Sequence, residues 1–180
     1  YSLPVALEWL GNHRGERFFL FLHGYDSHGQ FELAEGARGS LEGYAGSLDG
    51  SIDEQARLRE QGLDAIENPG DLASLEGVLD AADAAFLKQV YEQKVRQADE
   101  RLGQFMGQLR AMGLLDNTVV ALISDHGDEF MEHGGVDHGA TLYEEQIHVP
   151  LIVKLPGGKD AGDRRDDLAL LDVVAALPAR

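Results

Sequence analysis

Seven carboxylates and four imidazoles lie between Asp125 and Pro150, and no lysine or arginine stands among them. Like charges at that density are costly unless they stay solvated or a cation compensates them. Ser124-Asp125-His126 follows directly on the apolar run TVVALI (118–123), so a hard oxygen and an imidazole stand together at a strand end, where both can serve a divalent cation. Gly127 lets the backbone bend sharply beside them. His133-Gly134 and His138-Gly139 add two imidazoles in a glycine-rich loop. A solvated surface loop with no ligand is the competing reading of this composition. Position favours a site, because a second polar loop carrying His23, Asp26 and His28 follows another apolar run, and loops leaving neighbouring strand ends meet above a sheet.

Several elements must position these groups. Arg17–His23 (RFFLFLH) is too short for a typical helix and rich in Phe, which predicts a strand buried on both faces. Ala81 to Met112 is the longest periodic segment. Its positions Leu87, Tyr91, Val95, Ala98, Leu102, Phe105, Leu109 and Met112 form one apolar stripe, and Gly113 follows where a left-handed cap is expected. Asp116-Asn117 turns the chain into the TVVALI strand, and 152–155 (IVKL) predicts another, closed by Pro156-Gly157-Gly158. Shorter helices are expected over 5–10, 52–60, 72–79 (capped by Asp71) and 167–176. Glycines at 36, 39, 43, 46 and 50 and the turn Asn68-Pro69-Gly70 make 32–70 a surface excursion. Strand, long helix, strand implies an α/β fold with a largely parallel sheet.

The whole chain narrows the classes. Its 180 residues are 43% apolar, enough for one domain with a core, and carry a formal charge of -17. No basic stripe neutralises phosphates, so nucleic acid is not an expected partner. No apolar run is long enough to span a membrane. There is no cysteine, which excludes disulfides and thiolate chemistry within these residues.

The succession Ser124-Asp125-His126-Gly127-Asp128, Glu132-His133-Gly134, His138-Gly139-Ala140-Thr141-Leu142-Tyr143-Glu144-Glu145, Val149-Pro150-Leu151-Ile152-Val153-Lys154 and Pro156-Gly157 resembles the sulfatases of the alkaline-phosphatase superfamily. LRAMGLLDNT (109–118), with Tyr91 and Asp99 before it, is similar to that family's long helix and the turn into its metal-bearing strand. FLFLHGYDSHGQF (19–31) resembles its histidine loop.

The resemblance implies an alkaline-phosphatase-like α/β fold, with a mostly parallel sheet flanked by helices. It also implies a metal-dependent hydrolysis of sulfate monoesters. Asp125 and His126 would be metal ligands, and His28 would contact the sulfate oxygens. His138 would bind substrate near the scissile ester and stabilise or protonate the leaving oxygen. His133 is a second catalytic candidate, assisting the site or shaping its loop, while Tyr143 and Glu144 anchor it. Ca2+ is the expected metal, with Mg2+, Mn2+ and Zn2+ as alternatives. The expected partner is a small-molecule or glycan sulfate ester, in a periplasmic, secreted or lysosomal setting.

The family's nucleophile is a formylglycine made from Cys or Ser in the pattern Cys/Ser-X-Pro-X-Arg. No residue here completes that pattern, and the family's paired aspartates near its first strand are also absent. The expectation is therefore that residues 1–180 are the middle-to-C-terminal part of one catalytic domain, with the formylglycine upstream. An isolated piece of that kind would expose a sheet edge. Ser27 and Gln30 stand where the family has prolines around His28, which loosens that loop. A phosphate or phosphonate ester hydrolase of the same superfamily is the alternative. An inactive acidic metal-binding or interaction module is the reading from another class.

Overall fold

Asp80 starts the longest element. Its side chain accepts from the amides of Ala82 and Asp83 at 2.7 and 3.0 Å, and Asp83 reaches back to the Asp80 amide at 3.0 Å, a reciprocal cap. The helix that follows, α2 (Ala81–Ala111), runs 31 residues, about 47 Å. It ends on Gly113 at φ 73°, where the amides of Gly113 and Leu114 return to the carbonyls of Arg110 and Leu109. The computed structural model describes residues 2–28, 43–46, 48, 79–139, 141–158 and 162. The helices expected over 52–60 and 167–176, all of that over 72–79 except Leu79, and most of the excursion 32–70 lie outside the described residues.

A helix this long serves two cores. At its start Phe86, Leu87 and Val90 pack with Leu48, Leu79 and Tyr44, and with Phe130, Met131 and Val136. At its end Phe105 and Leu109 pack with Ala6 and Leu10 of α1 (Ser2–Asn12) and with Leu115. The expected stripe therefore holds at Leu87, Phe105 and Leu109. It fails at Val95, which is exposed, because the middle of α2 lies between the two clusters.

The strands β1 (Val120–Ile123) and β4 (Leu151–Lys154) pair antiparallel, with Val120 opposite Lys154 and Ile123 opposite Leu151. A second antiparallel pair joins β2 (Glu129–Phe130) to β3 (Val136–Asp137). The described residues thus form an α/β fold with two small antiparallel sheets, and the mostly parallel sheet expected from the sequence is overturned. The order strand, helix, strand suggested a parallel crossover. Yet β1 pairs with the strand that returns after the histidine-rich loop.

The strand expected over Arg17–His23 is likewise corrected. Among the described residues this segment joins no sheet. Phe18, Leu20 and Leu22 pack on the α1/α2 core, while Phe19 and Phe21 face solvent at 72% and 74% exposure, so only one face is buried. Side chains of β1 and β4 are also open to solvent, including Leu122, Ile152 and Val153.

Candidate active site

β1 and β4 are the two feet of the segment 124–150, and their pairing pins both ends of that long loop. Inside it, the β2–β3 hairpin docks on α2 through Phe130, Met131 and Val136, with Tyr91 against Phe130 edge to face at 5.2 Å. The hairpin turns on Met131 at φ 70° and Gly134 at φ 83°. A short helix, α3 (Glu144–Ile147), closes the far side. The histidine loop is braced from α2: Lys94 Nζ donates to the His28 carbonyl at 3.2 Å, and Arg101 pairs with Asp26.

These braces bring three imidazoles together. His28, His126 and His138 each offer a ring nitrogen within 4.8 Å of the others, a set that could hold a metal ion. The rings of His126 and His138 stack at 3.6 Å between centroids, and His28 meets His138 edge-on at 5.2 Å. Asp125 stands at the rim. Its side chain is 73% exposed, with Oδ1 3.8 Å from His126 Nε2, and it belongs to neither tight group of candidate ligands among the described residues. His133 is apart from the trio: it stacks on Tyr143 at 3.6 Å and meets Glu145 Oε2 at 3.2 Å.

Beneath the trio lies a layer of carboxylates that sequence reasoning did not single out. Asp128 and Asp137 both reach His138 Nδ1, at 2.8 and 2.7 Å, and with His138 they form a second group of atoms close enough to share a cation. Burial pushes the Asp128 carboxyl above its ordinary range. The hydrogen bond and charge of His138 pull it back, Asp137 pushes it further up, and His126 lowers it. Burial, with help from the Asp128 charge, also raises the Tyr91 phenol. Asp137 adopts φ 72°, a left-handed conformation that Asp tolerates better than most residues.

Glu129 organises the loop from within. It is 2% exposed, and Oε1 accepts from the amides of His133 and Gly135 at 2.9 and 3.2 Å. Its Oε2 faces Gln146 Nε2 at 3.3 Å and the Thr141 hydroxyl at 3.4 Å. Gln146, also buried, donates to Thr141 Oγ1 at 2.6 Å and accepts from the Gly139 amide at 3.1 Å, which ties the residue after His138 to α3. Gly127 donates to the Gln146 carbonyl at 2.7 Å. Its need for glycine is spatial: a Cβ there would lie 2.1 Å from the Glu145 carbonyl oxygen, and its φ is not in the left-handed region. The sharp bend expected at Gly127 is thus a close approach of two backbones. The run of acids without a cation was a visible signal for Asp128, Glu129 and Asp137, but nothing in the sequence marked Gln146.

The donor chemistry fits a divalent cation in part. His126 donates Nδ1–H to the Gly127 carbonyl at 2.9 Å, which directs Nε2 toward Asp125, so this chain supplies one nitrogen and one carboxylate oxygen side by side. A calcium shell of about six to eight oxygens needs further donors. Formylglycine finds no counterpart, since the chain has no cysteine and none of its serines stands in a Ser-X-Pro-X-Arg pattern.

Comparison with known proteins bears on this site. The family model described as Sulfatase matches residues 2–177. An arylsulfatase K of Danio rerio is 34% identical over 87 residues, which is 48% of this chain and 16% of that protein. An arylsulfatase of Clostridium perfringens is 29% identical over 116 residues, covering 62% of this chain and 24% of that protein. An N-acetylglucosamine-6-O-sulfatase of Bacteroides thetaiotaomicron is 31% identical over 98 residues, 51% of this chain and 17% of the relative. The aligned stretches thus span less than a quarter of these relatives' length. No solved structure gives a significant match. Among the described residues no helix is long and apolar enough to cross a membrane. With the family model covering nearly the whole sequence, the chain belongs to the sulfatase family.

Proposed function

We propose that this chain carries the leaving-group and metal side of a metal-dependent sulfuric ester hydrolase acting on a small-molecule or glycan sulfate ester, in a periplasmic, secreted or lysosomal setting. The observation that carries the reading is the convergence of His28, His126 and His138 within 4.8 Å in a chain of the sulfatase family.

Asp125 and His126 Nε2 would hold the cation, Ca2+ by the family resemblance, together with oxygen donors from outside these 180 residues. When bound, that cation draws charge from the transferring group and orients it. The nucleophile is likewise proposed to lie outside these residues. His28, on the loop braced by Lys94 and Arg101, contacts the anionic sulfate oxygens. His138 gives its proton to the ester oxygen as the bond to sulfur breaks. Asp128 and Asp137 hold Nδ1–H at 2.8 and 2.7 Å, which leaves Nε2 as the atom facing the leaving group. His133, stacked on Tyr143 and paired with Glu145, shapes the loop and holds α3 beside it.

Hydrolysis of aryl sulfates by the full-length protein tests the reading, with aryl phosphates in parallel. His138→Ala should lower kcat about 10²–10⁴-fold for an alkyl sulfate, whose leaving oxygen needs a proton, and far less for a nitrophenyl sulfate. Asp125→Ala should abolish metal-dependent turnover. Equal loss on both leaving groups would remove His138 from the acid role. Faster turnover of phosphate than sulfate esters would move the chain to the phosphoryl-transfer branch of its superfamily.

A further inference from the structure

Two of the three clustered imidazoles have their tautomer set by what surrounds them. His126 Nδ1 faces the Gly127 carbonyl at 2.9 Å, and His138 Nδ1 faces Asp128 and Asp137 at 2.8 and 2.7 Å. Carbonyl and carboxylate oxygens accept, so Nδ1 carries a proton in both rings, and in the neutral form of each ring Nε2 carries the lone pair, which a metal takes in place of the proton that His138 gives in hydrolysis. An imidazole tied in this way through one nitrogen is prepared to bind a metal through the other. His28 adds a third imidazole, one ring nitrogen of each of the three lying within 4.8 Å of the others, and Asp125 Oδ1 lies 3.8 Å from His126 Nε2. Three imidazoles with one carboxylate or water is a four-coordinate donor set of the kind zinc takes. It is a poor match for calcium, which prefers oxygen ligands.

We propose that His28, His126 and His138 form a seat for an imidazole-seeking divalent metal of the Zn2+ class, and that filling this seat blocks sulfate ester hydrolysis. Such an ion takes the His138 nitrogen that faces the leaving group, the His28 nitrogen that faces sulfate, and the His126 nitrogen on the hydrolytic cation's side. The site then has two exclusive states, one loaded for hydrolysis and one locked by a transition metal. The blockade rests on the proposed sulfatase reading, whereas the seat rests on the imidazole geometry alone.

Cobalt titration of the full-length protein in excess Ca2+, followed by visible ligand-field absorption and displacement with Zn2+, tests the seat. One Co2+ per chain is expected, with the intense bands of four- or five-coordinate cobalt. His28→Ala and His138→Ala should each weaken binding roughly 100-fold or more, and Asp128→Asn, which loosens the His138 tautomer, about 10–100-fold. His13→Ala, which removes an imidazole just past the end of α1, should leave cobalt binding unchanged. Should either alanine variant misfold by circular dichroism, His28→Gln and His138→Gln take its place. Binding that persists in the His28 variants, or that is lost with Asp137→Asn alone, would place the cation on the Asp128–Asp137 side and overturn the proposal. Zn2+ should inhibit aryl sulfate turnover over the concentration range that fills the seat, and uninhibited turnover with the seat filled would overturn the blockade. If Zn2+ binds as expected while no sulfate ester is hydrolysed with any metal, the functional reading fails and the seat stands.

Discussion

Gly127→Ala tests how the loop of the candidate site is held. The new Cβ would sit 2.1 Å from the Glu145 carbonyl oxygen and 3.2 Å from its carbon, roughly 1.3 Å short of the 3.4 Å at which ordinary contact begins. Both partners are backbone, so no side chain can swing aside. The approach is close because Gly127 donates to the Gln146 carbonyl at 2.7 Å, and relieving the clash breaks that bond. Overpacking costs about 1–3 kcal/mol and the lost hydrogen bond about 0.5–1.5 kcal/mol. The stiffer unfolded chain offsets about 0.4–1 kcal/mol. The net loss is about 2–3 kcal/mol, a large share of the roughly 5–15 kcal/mol that holds a domain. In equilibrium urea denaturation the midpoint should fall by about 1–1.5 M for a slope near 2 kcal/mol/M. Hydrogen exchange should show the Gly127 amide losing protection first, together with the flanking His126 and Asp128. Gly107→Ala is the internal control. Gly107 sits in α2 with nothing among the described residues within 4 Å of an added Cβ, so the same substitution should stabilise by about 0.5–1 kcal/mol. A Gly127→Ala protein with an unchanged midpoint and a protected Gly127 amide would refute the idea that backbone contact between the strand end and α3 sets the loop.

Glu129→Ala should destabilise by about 3–5 kcal/mol, because it leaves the amides of His133 and Gly135 without their acceptor and Gln146 Nε2 with Thr141 but not Glu129 to accept from it; a change below about 1 kcal/mol in thermal or urea unfolding would contradict that hub. Asp128 supplies a pH prediction for metal-free protein. Its carboxyl is raised above the ordinary value of 3.8, so the protonated form favours the fold, and stability relative to Asp128→Asn is greatest below about pH 3.8 and lost as pH rises through the folded pKa. Urea midpoints for both proteins across acidic pH check this, and a wild type that gains on the variant as pH rises would refute it. Asp137→Val should cost about 1–3 kcal/mol more than Asp137→Asn, since a β-branched residue strains φ 72° where Asn does not. Equal midpoints for the two variants would show that the backbone there relaxes freely.

Local chemistry was legible in the sequence. The α2 segment showed its 3.6-residue period and its glycine stop, because an amphipathic helix writes its pattern into consecutive residues. The TVVALI strand announced itself by branched apolar side chains. The two polar loops carrying His28, His126 and His138 were visible after apolar runs, but the strand-end argument for their meeting fails at Arg17–His23, which joins no sheet among the described residues. Periodicity names an element without naming its partner, however, so the antiparallel pairing of β1 with β4 was hidden and the parallel expectation went wrong. The same limit applied to Phe19 and Phe21, whose exposure depends on what lies across from them. Only tertiary structure decided that Asp128 and Asp137 meet under His138, that Glu129 and Gln146 tie the loop from its interior, and that Gly127 is needed for space. Each of these depends on distances between backbones brought together by folding, and a residue's type and position along the chain do not encode such distances.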